Sequence, residues 1–256
     1  MKKILIAGNW KMNTNLDSSA QLCLGILENT KNRNLKSTVL VCPPFINLGI
    51  VSSILNNSNI NLGAQNCWYE EKGAFTGEIS AEMLKSIGCT YVIVGHSERR
   101  TIFGESDEVI NKKAKALLKH GIKPIICIGE TLEERNSGNT YKVLFCQLDN
   151  SFAGFSNADW ENIVIAYEPV WAIGTGVTAT PEQAQEAHYN IRKYINEKFG
   201  ETASKSLILY GGSMNEKNAY ELLGLDDVNG GLIGGAALKV DSFVSIIESA
   251  EKILSA

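Results

Sequence analysis

The sequence predicts a closed (β/α)8 barrel, and three observations lead there. Eight short runs rich in Val, Ile and Leu recur along the 256 residues, each nearly continuous in apolar side chains, as parallel strands covered on both faces require. The segments between them carry helical periodicity. No Gly/Ser-rich linker or shift of composition divides the chain, and eight such units in roughly 250 residues is the length of one barrel, so residues 1–256 read as a single domain. An open doubly wound sheet is the rival architecture, because it is built from the same right-handed crossover.

The first run, "ILIAGNW" from Ile4, follows two lysines but loses its apolar character after Ala7, giving way to Asn9, Lys11 and Asn13. It therefore reads as a strand and not as a signal peptide. "TVLVCP" from Thr38, "INLGAQN" from Ile60 and "YVIVGH" from Tyr91 follow, then "KPIICIGE" from Lys123, "IVIAYEP" from Ile163, "LILYGGS" from Leu207 and "GGLIGG" from Gly230. The spacing predicts helices over 17–31, 45–56, 80–87, 107–120, 140–153, 215–224 and 240–254. It predicts one most clearly in "TPEQAQEAHYNIRKYINEKFG", where Ala184, Ala187, Ile191, Tyr194, Ile195 and Phe199 recur three and four apart. Thr180 is its cap, Pro181 its first helical residue, Gln183 the partner in a capping box, and Gly200 its stop.

Composition narrows the function. The formal charge is −4, with 24 basic and 28 acidic residues, and the basic ones are scattered, so nothing favours nucleic acid or an anionic membrane as partner. No apolar stretch reaches the roughly 18 residues of a membrane span. The six cysteines lack C-x-x-C spacing and mostly sit inside apolar runs, a pattern suited to a reducing, cytoplasmic setting. "GTGVTA" at 174 matches a dinucleotide-binding pattern in letters only, because Pro169 to Ile173 separate it from the strand and the helix begins after Thr180. No clustered metal-ligand set appears, and no metal or other cofactor is expected.

In a barrel of this kind the chemistry lies just after the strands. Those positions hold Asn9 and Lys11, "PPF" at 43, Gln65 and Asn66, His96, "GE" at 129, Glu168, "GGS" at 211 and "GG" at 234. A carboxylate at a strand end is ordinarily a solvated group. Glu168 differs in its surroundings: Pro169 stiffens the exit, Gly174 and Gly176 allow unusual backbone conformations, and Trp171 and Ile173 suit an apolar lid. A lid that excludes water raises a carboxylate's proton affinity and improves it as a base. Of three histidines, His120 sits at a helix end and His188 on the apolar stripe of the 181 helix, where it reads as a partly buried structural residue. His96 alone follows a strand. If "SERR" opens a helical turn, its amides disfavour an imidazolium and leave a neutral proton donor. Lys11 has only its position in favour of a role. The glycine pairs after the seventh and eighth strands suit a phosphate site made of backbone amides.

"GNWKMN" at 8, "VGHSERR" at 94, "CIGETLEER" at 127, "AYEPVWAIGTG" at 166, "YGGS" at 210 and "GGLIGGAAL" at 230 resemble, in order and across the chain, the signatures of the triosephosphate isomerases. The resemblance implies interconversion of dihydroxyacetone phosphate and D-glyceraldehyde 3-phosphate through an enediol, a step of glycolysis and gluconeogenesis. It implies Glu168 as the base, His96 as a neutral electrophile, and Lys11 with Asn9 stabilising the enediolate. Amides of Gly174, Ser213, Gly234 and Gly235 would hold the phosphate, a lid over 169–176 would close, and Glu98 and Cys127 would support the site. It also implies a homodimer formed through the loop Gln65 to Glu78, whose tip "GAFT" is apolar. Met214 and Ala237 stand where the family often has valine and serine, which bears on phosphate affinity. An aldolase would need a Schiff-base lysine on the sixth strand, where this chain has Glu168. A non-catalytic phosphate-binding barrel or scaffold remains the alternative.

Overall fold

The near-continuous apolar runs form eight short parallel strands: β1 Leu5–Asn9, β2 Thr38–Cys42, β3 Ile60–Ala64, β4 Tyr91–Val94, β5 Lys123–Ile128, β6 Val164–Tyr167, β7 Leu207–Tyr210 and β8 Gly230–Ile233. They pair in chain order and close into a barrel, which settles the choice against the open sheet. The structure is a computed structural model that describes residues 2–31, 33–174 and 178–256. Register is continuous along most seams, as between β1 and β2, where Leu5 faces Thr38 and Asn9 faces Cys42. The seam between β7 and β8 is the shortest, with Tyr210 opposite Gly231 as its only register pair.

Strand alternation divides the core into two layers. Leu5, Ala7, Leu40, Ile93, Ile125, Cys127, Ala166, Leu209 and Leu232 fill the ring. Ile6, Val39, Val41, Val92, Ile126, Ile165 and Ile208 face outward and pack under the helices. Both faces are thus apolar, which is why the strands carry no polar alternation.

The predicted helices appear at Leu16–Thr30, Leu48–Leu55, Ala81–Ser86, Asp107–Lys119, Thr140–Ser151, Pro181–Phe199, Ala219–Gly224 and Val240–Ser255. Thr180 and Gln183 form the expected capping box, and Gly200 ends that helix at φ 90°. Two boundaries shift. Phe45–Asn47 is a 3-10 turn before the second helix. The helix predicted from 215 begins only at Ala219, because the Asn215 amide donates to Asn218 Oδ1 at 2.8 Å and closes a side-chain turn instead. Short helices at Ser97–Thr101, Leu132–Asn136, Asn157–Trp160 and Glu201–Ser204 add to the eight. Among the described residues no helix is long and apolar enough to cross a membrane.

Candidate active site

Because all eight strands run the same way, their carboxyl ends form one rim, and the residues that follow converge there. A cavity of about 380 Å³ opens at this rim, lined by Asn9, Lys11, His96, Gly174, Ser213, Gly234 and Gly235 among others. Glu168 completes the predicted set but lies beneath the cavity wall, 1% exposed.

Glu168 directly follows β6, and its carboxylate reaches across the ring to the residues after β4. Oε2 accepts the Ser97 amide at 2.8 Å, and Oε1 lies 2.9 Å from His96 Nε2, a close contact that is not aligned as a hydrogen bond. His96 caps the helix Ser97–Thr101, so the expected helical turn is present, and the Glu98 amide donates to His96 Nδ1 at 3.2 Å. That bond needs a lone pair on Nδ1 and leaves the ring proton on Nε2, the nitrogen facing Glu168.

The electrostatics differ in one respect from the sequence expectation. Burial pushes the Glu168 carboxyl up, but His96, the Ser97 amide and Lys11 outweigh it and hold the group below its ordinary 4.5. The expected rise in proton affinity is therefore absent while the carboxylate rests against these partners. Burial opposes charge on His96, whereas the adjacent carboxylate favours it and in this pairing holds the imidazole above 6.5. That support depends on Glu168, whereas the Glu98 amide, donating to Nδ1, favours the neutral ring.

Lys11 occupies the loop after β1 with a left-handed backbone, φ 52°, a conformation non-glycine residues adopt at a cost and that recurs at functional sites. Its neighbours fix it there. Its amide donates to Asn9 Oδ1 at 3.0 Å and its carbonyl accepts Gln65 Nε2 at 2.9 Å. The ammonium meets Glu98 Oε1 at 2.6 Å, which makes Glu98 a direct partner of Lys11. Cys127 lies inside the ring, its thiol pushed well up by burial and by the Glu168 carboxylate, and it acts as a small apolar filler.

The glycine-lined end of the cavity is assembled from two loops. Gly234 and Gly235 open a 3-10 turn, Gly235–Leu238, directly after β8, where the first amides lack intrahelical acceptors. Ser213 follows β7, yet its amide is already engaged: both its N–H, at 3.2 Å, and its Oγ, at 2.7 Å, donate to the Ala172 carbonyl. An anion drawn to Ser213 must displace that carbonyl. Ala172 belongs to the 3-10 turn Val170–Ala172 that follows Pro169, and Gly174 lines the cavity at φ 69°. Gly176 lies outside the described residues.

The strand-end positions include Glu130, to which the sequence assigned no role. Fully buried after β5, its Oε1 accepts Tyr167 Oη at 3.1 Å and Trp171 Nε1 at 2.8 Å, with Arg135 at 3.4 Å. It anchors the tryptophan assigned to the lid. The signal was the strand-end position itself. His188 also differs: it is fully buried, not partly, with Nδ1 2.7 Å from the Ala184 carbonyl, and burial lowers its pKa to about 4. His120 caps the end of helix Asp107–Lys119, 3.6 Å from Glu71.

A buried carboxylate in contact with an imidazole at a barrel rim, beside a glycine-lined recess, is the arrangement of a (β/α)8 enzyme of the general acid–base class. The triosephosphate isomerase family profile matches residues 4–250. A triosephosphate isomerase of Dehalococcoides mccartyi is 51% identical over 255 residues, covering 99% of both chains. That of Chloroherpeton thalassium is 50% identical over 252 residues, covering 98% of this chain and 100% of that one. The crystal structure of triosephosphate isomerase from Bartonella henselae superposes with a TM-score of 0.87 at 42% identity, covering 96% of this chain and 98% of that chain. The chain belongs to the triosephosphate isomerase family.

Proposed function

We propose that Glu168, His96 and Lys11 carry out the family's reaction, the interconversion of dihydroxyacetone phosphate and D-glyceraldehyde 3-phosphate through an enediolate. The observation that carries this assignment is the meeting of Glu168 and His96 at 2.9 Å from two separate strands, beside the cavity that Lys11 lines. Glu168 leaves the Ser97 amide, takes a proton from the carbon next to the carbonyl and returns it to the neighbouring carbon. His96 Nε2–H polarises the carbonyl oxygen, gives it a proton and takes one back from the neighbouring hydroxyl, so that the O–H proton crosses between the two enediolate oxygens, and the Lys11 ammonium, with Asn9 beside it, stabilises the charge that develops there. The phosphate sits against amides of Gly174, Ser213, Gly234 and Gly235. Displacement of the Ala172 carbonyl from Ser213 couples phosphate arrival to movement of the segment after Pro169, and a closed segment keeps water from the enediolate.

The whole chain acts as one barrel domain in the cytoplasm, with all six cysteines as free thiols, and serves glycolysis and gluconeogenesis. It pairs as a homodimer through the loop Gln65 to Glu78. Residues 70–78 of that loop are exposed, Phe75 among them at 40%, and large apolar side chains after other strands are exposed too: Met12 96%, Ile46 76%, Ile102 71% and Phe103 64%. Exposed apolar side chains of this size favour cover by a partner. A coupled assay of glyceraldehyde phosphate isomerisation with wild type and Glu168→Gln tests the mechanism. The variant is expected to lose about 10²–10⁴-fold in kcat with little change in KM. Equal rates in the two proteins defeat the assignment, and absence of turnover in both favours the non-catalytic phosphate-binding barrel.

A further inference from the structure

The anion cradle draws on two loops, and the seam between their strands, β7 and β8, is the shortest in the barrel. The Met214 side chain crosses it. Met214 follows Ser213 directly, its amide donates to Gly212 O at 2.8 Å, and its side chain is 4% exposed, packed in the layer between barrel and helices with Ile233 and Ala237. A Cβ on Gly231 would stand 2.7 Å from Met214 Sδ and 3.1 Å from its terminal methyl. The missing Cβ of Gly231 is therefore the slot that the thioether fills. Gly231 lies three residues before Gly234, so the same contact fixes Ser213 on one loop relative to Gly234 and Gly235 on the other.

We propose that Met214, seated in the Gly231 slot, is a positioning residue that sets the spacing between the two halves of the anion cradle. The inference rests on the reading that the Ser213, Gly234 and Gly235 amides bind phosphate. A flexible, unbranched thioether suits such a slot because it adapts to an irregular gap, and close packing makes the loss of even one or two heavy atoms felt by their neighbours. Valine at 214 removes the sulfur and terminal methyl and lets the two loops shift. Alanine at 231 puts a carbon where the sulfur sits and drives the methionine out. Together the two substitutions exchange volume across the seam.

The test combines kinetics with binding of inorganic phosphate. Met214→Val and Gly231→Ala are each expected to raise KM and the phosphate inhibition constant at least threefold with kcat within twofold of wild type, while Met214→Val/Gly231→Ala returns both to within twofold. Constants unchanged in Met214→Val, or a double variant no better than the worse single one, overturn the proposal. A purely structural role for Met214 predicts a lower melting temperature without the KM change, and that result also overturns it. Should Gly231→Ala not fold, Met214→Val and the double variant still decide. Amide NMR of the wild type titrated with phosphate separates the two readings. Unmoved Ser213, Gly234 and Gly235 signals sink the cradle itself, whereas shifted signals with unaltered constants in the variants sink only the role of Met214.

Discussion

A carboxylate at 1% exposure keeps its charge only if its surroundings replace water, and at Glu168 the Ser97 amide is one of the replacements. Ser97 is the first residue of its short helix, and His96 before it has φ −51° and ψ 141°, a conformation compatible with a following proline. Ser97→Pro should therefore delete the amide without disturbing the helix. The Glu168 pKa is expected to rise, moving the acid limb of kcat/KM in the free enzyme to higher pH. Profiles of both proteins, corrected for ionisation of the substrate phosphate, check this, and superimposable acid limbs refute it. His188 gives a stability prediction of opposite origin. Its folded pKa, about 4, lies below the ordinary 6.5 because burial disfavours the imidazolium. The unfolded chain thus takes up the proton first, and stability that is complete above pH 6.5 is lost as pH falls toward 4, by about 3 kcal/mol in total. His188→Gln should flatten this part of the pH dependence of Tm. An unaltered slope between pH 7 and 4.5 would show that the loss arises elsewhere.

Among the elements, the segment after β6 is the one expected to bear on turnover. At φ 69°, Gly174 occupies a conformation that strains a β-branched residue by about 1–3 kcal/mol. Among the described residues, no atom beyond its chain neighbours lies within 4 Å of where its Cβ would be, so the penalty comes from the backbone. Gly174→Val is expected to cut kcat at least tenfold while Tm moves by no more than about 4 °C, because the segment and not the barrel absorbs the strain. A large fall in Tm with normal activity would contradict this. The sequence made the strands and long helices legible for physical reasons: the strands are buried on both faces, and helices such as Pro181–Phe199 bear caps and a full apolar stripe. Helices of four or five residues, such as Asn157–Trp160, are too short to show a period. The strand-end rule located Glu168, His96 and Lys11. It could not reveal that Ser213 spends its amide on Ala172, that Glu130 anchors Trp171, or that Lys11 has a left-handed backbone, since each depends on contacts between loops distant in sequence.

At the scale of the whole molecule, the exposed apolar side chains, Phe75 of the Gln65 to Glu78 loop among them, predict association. Burying a phenylalanine contributes about 1.5–3 kcal/mol, so Phe75→Glu should raise the dimer dissociation constant at least tenfold, as measured by sedimentation across a concentration series. A wild-type chain that sediments as a monomer at micromolar concentration would remove the dimer altogether. The short β7–β8 seam has a different consequence. A closed ring has no edge strand, and its resistance to opening is set by its least-paired joint. Phosphate gripped from both sides of that joint would act as a removable clasp on the hoop, adding about 2.7 kcal/mol of stability at a hundredfold excess over its dissociation constant. Hydrogen exchange should show the gain concentrated in β7 and β8, making the substrate's charged tail a temporary part of the barrel wall.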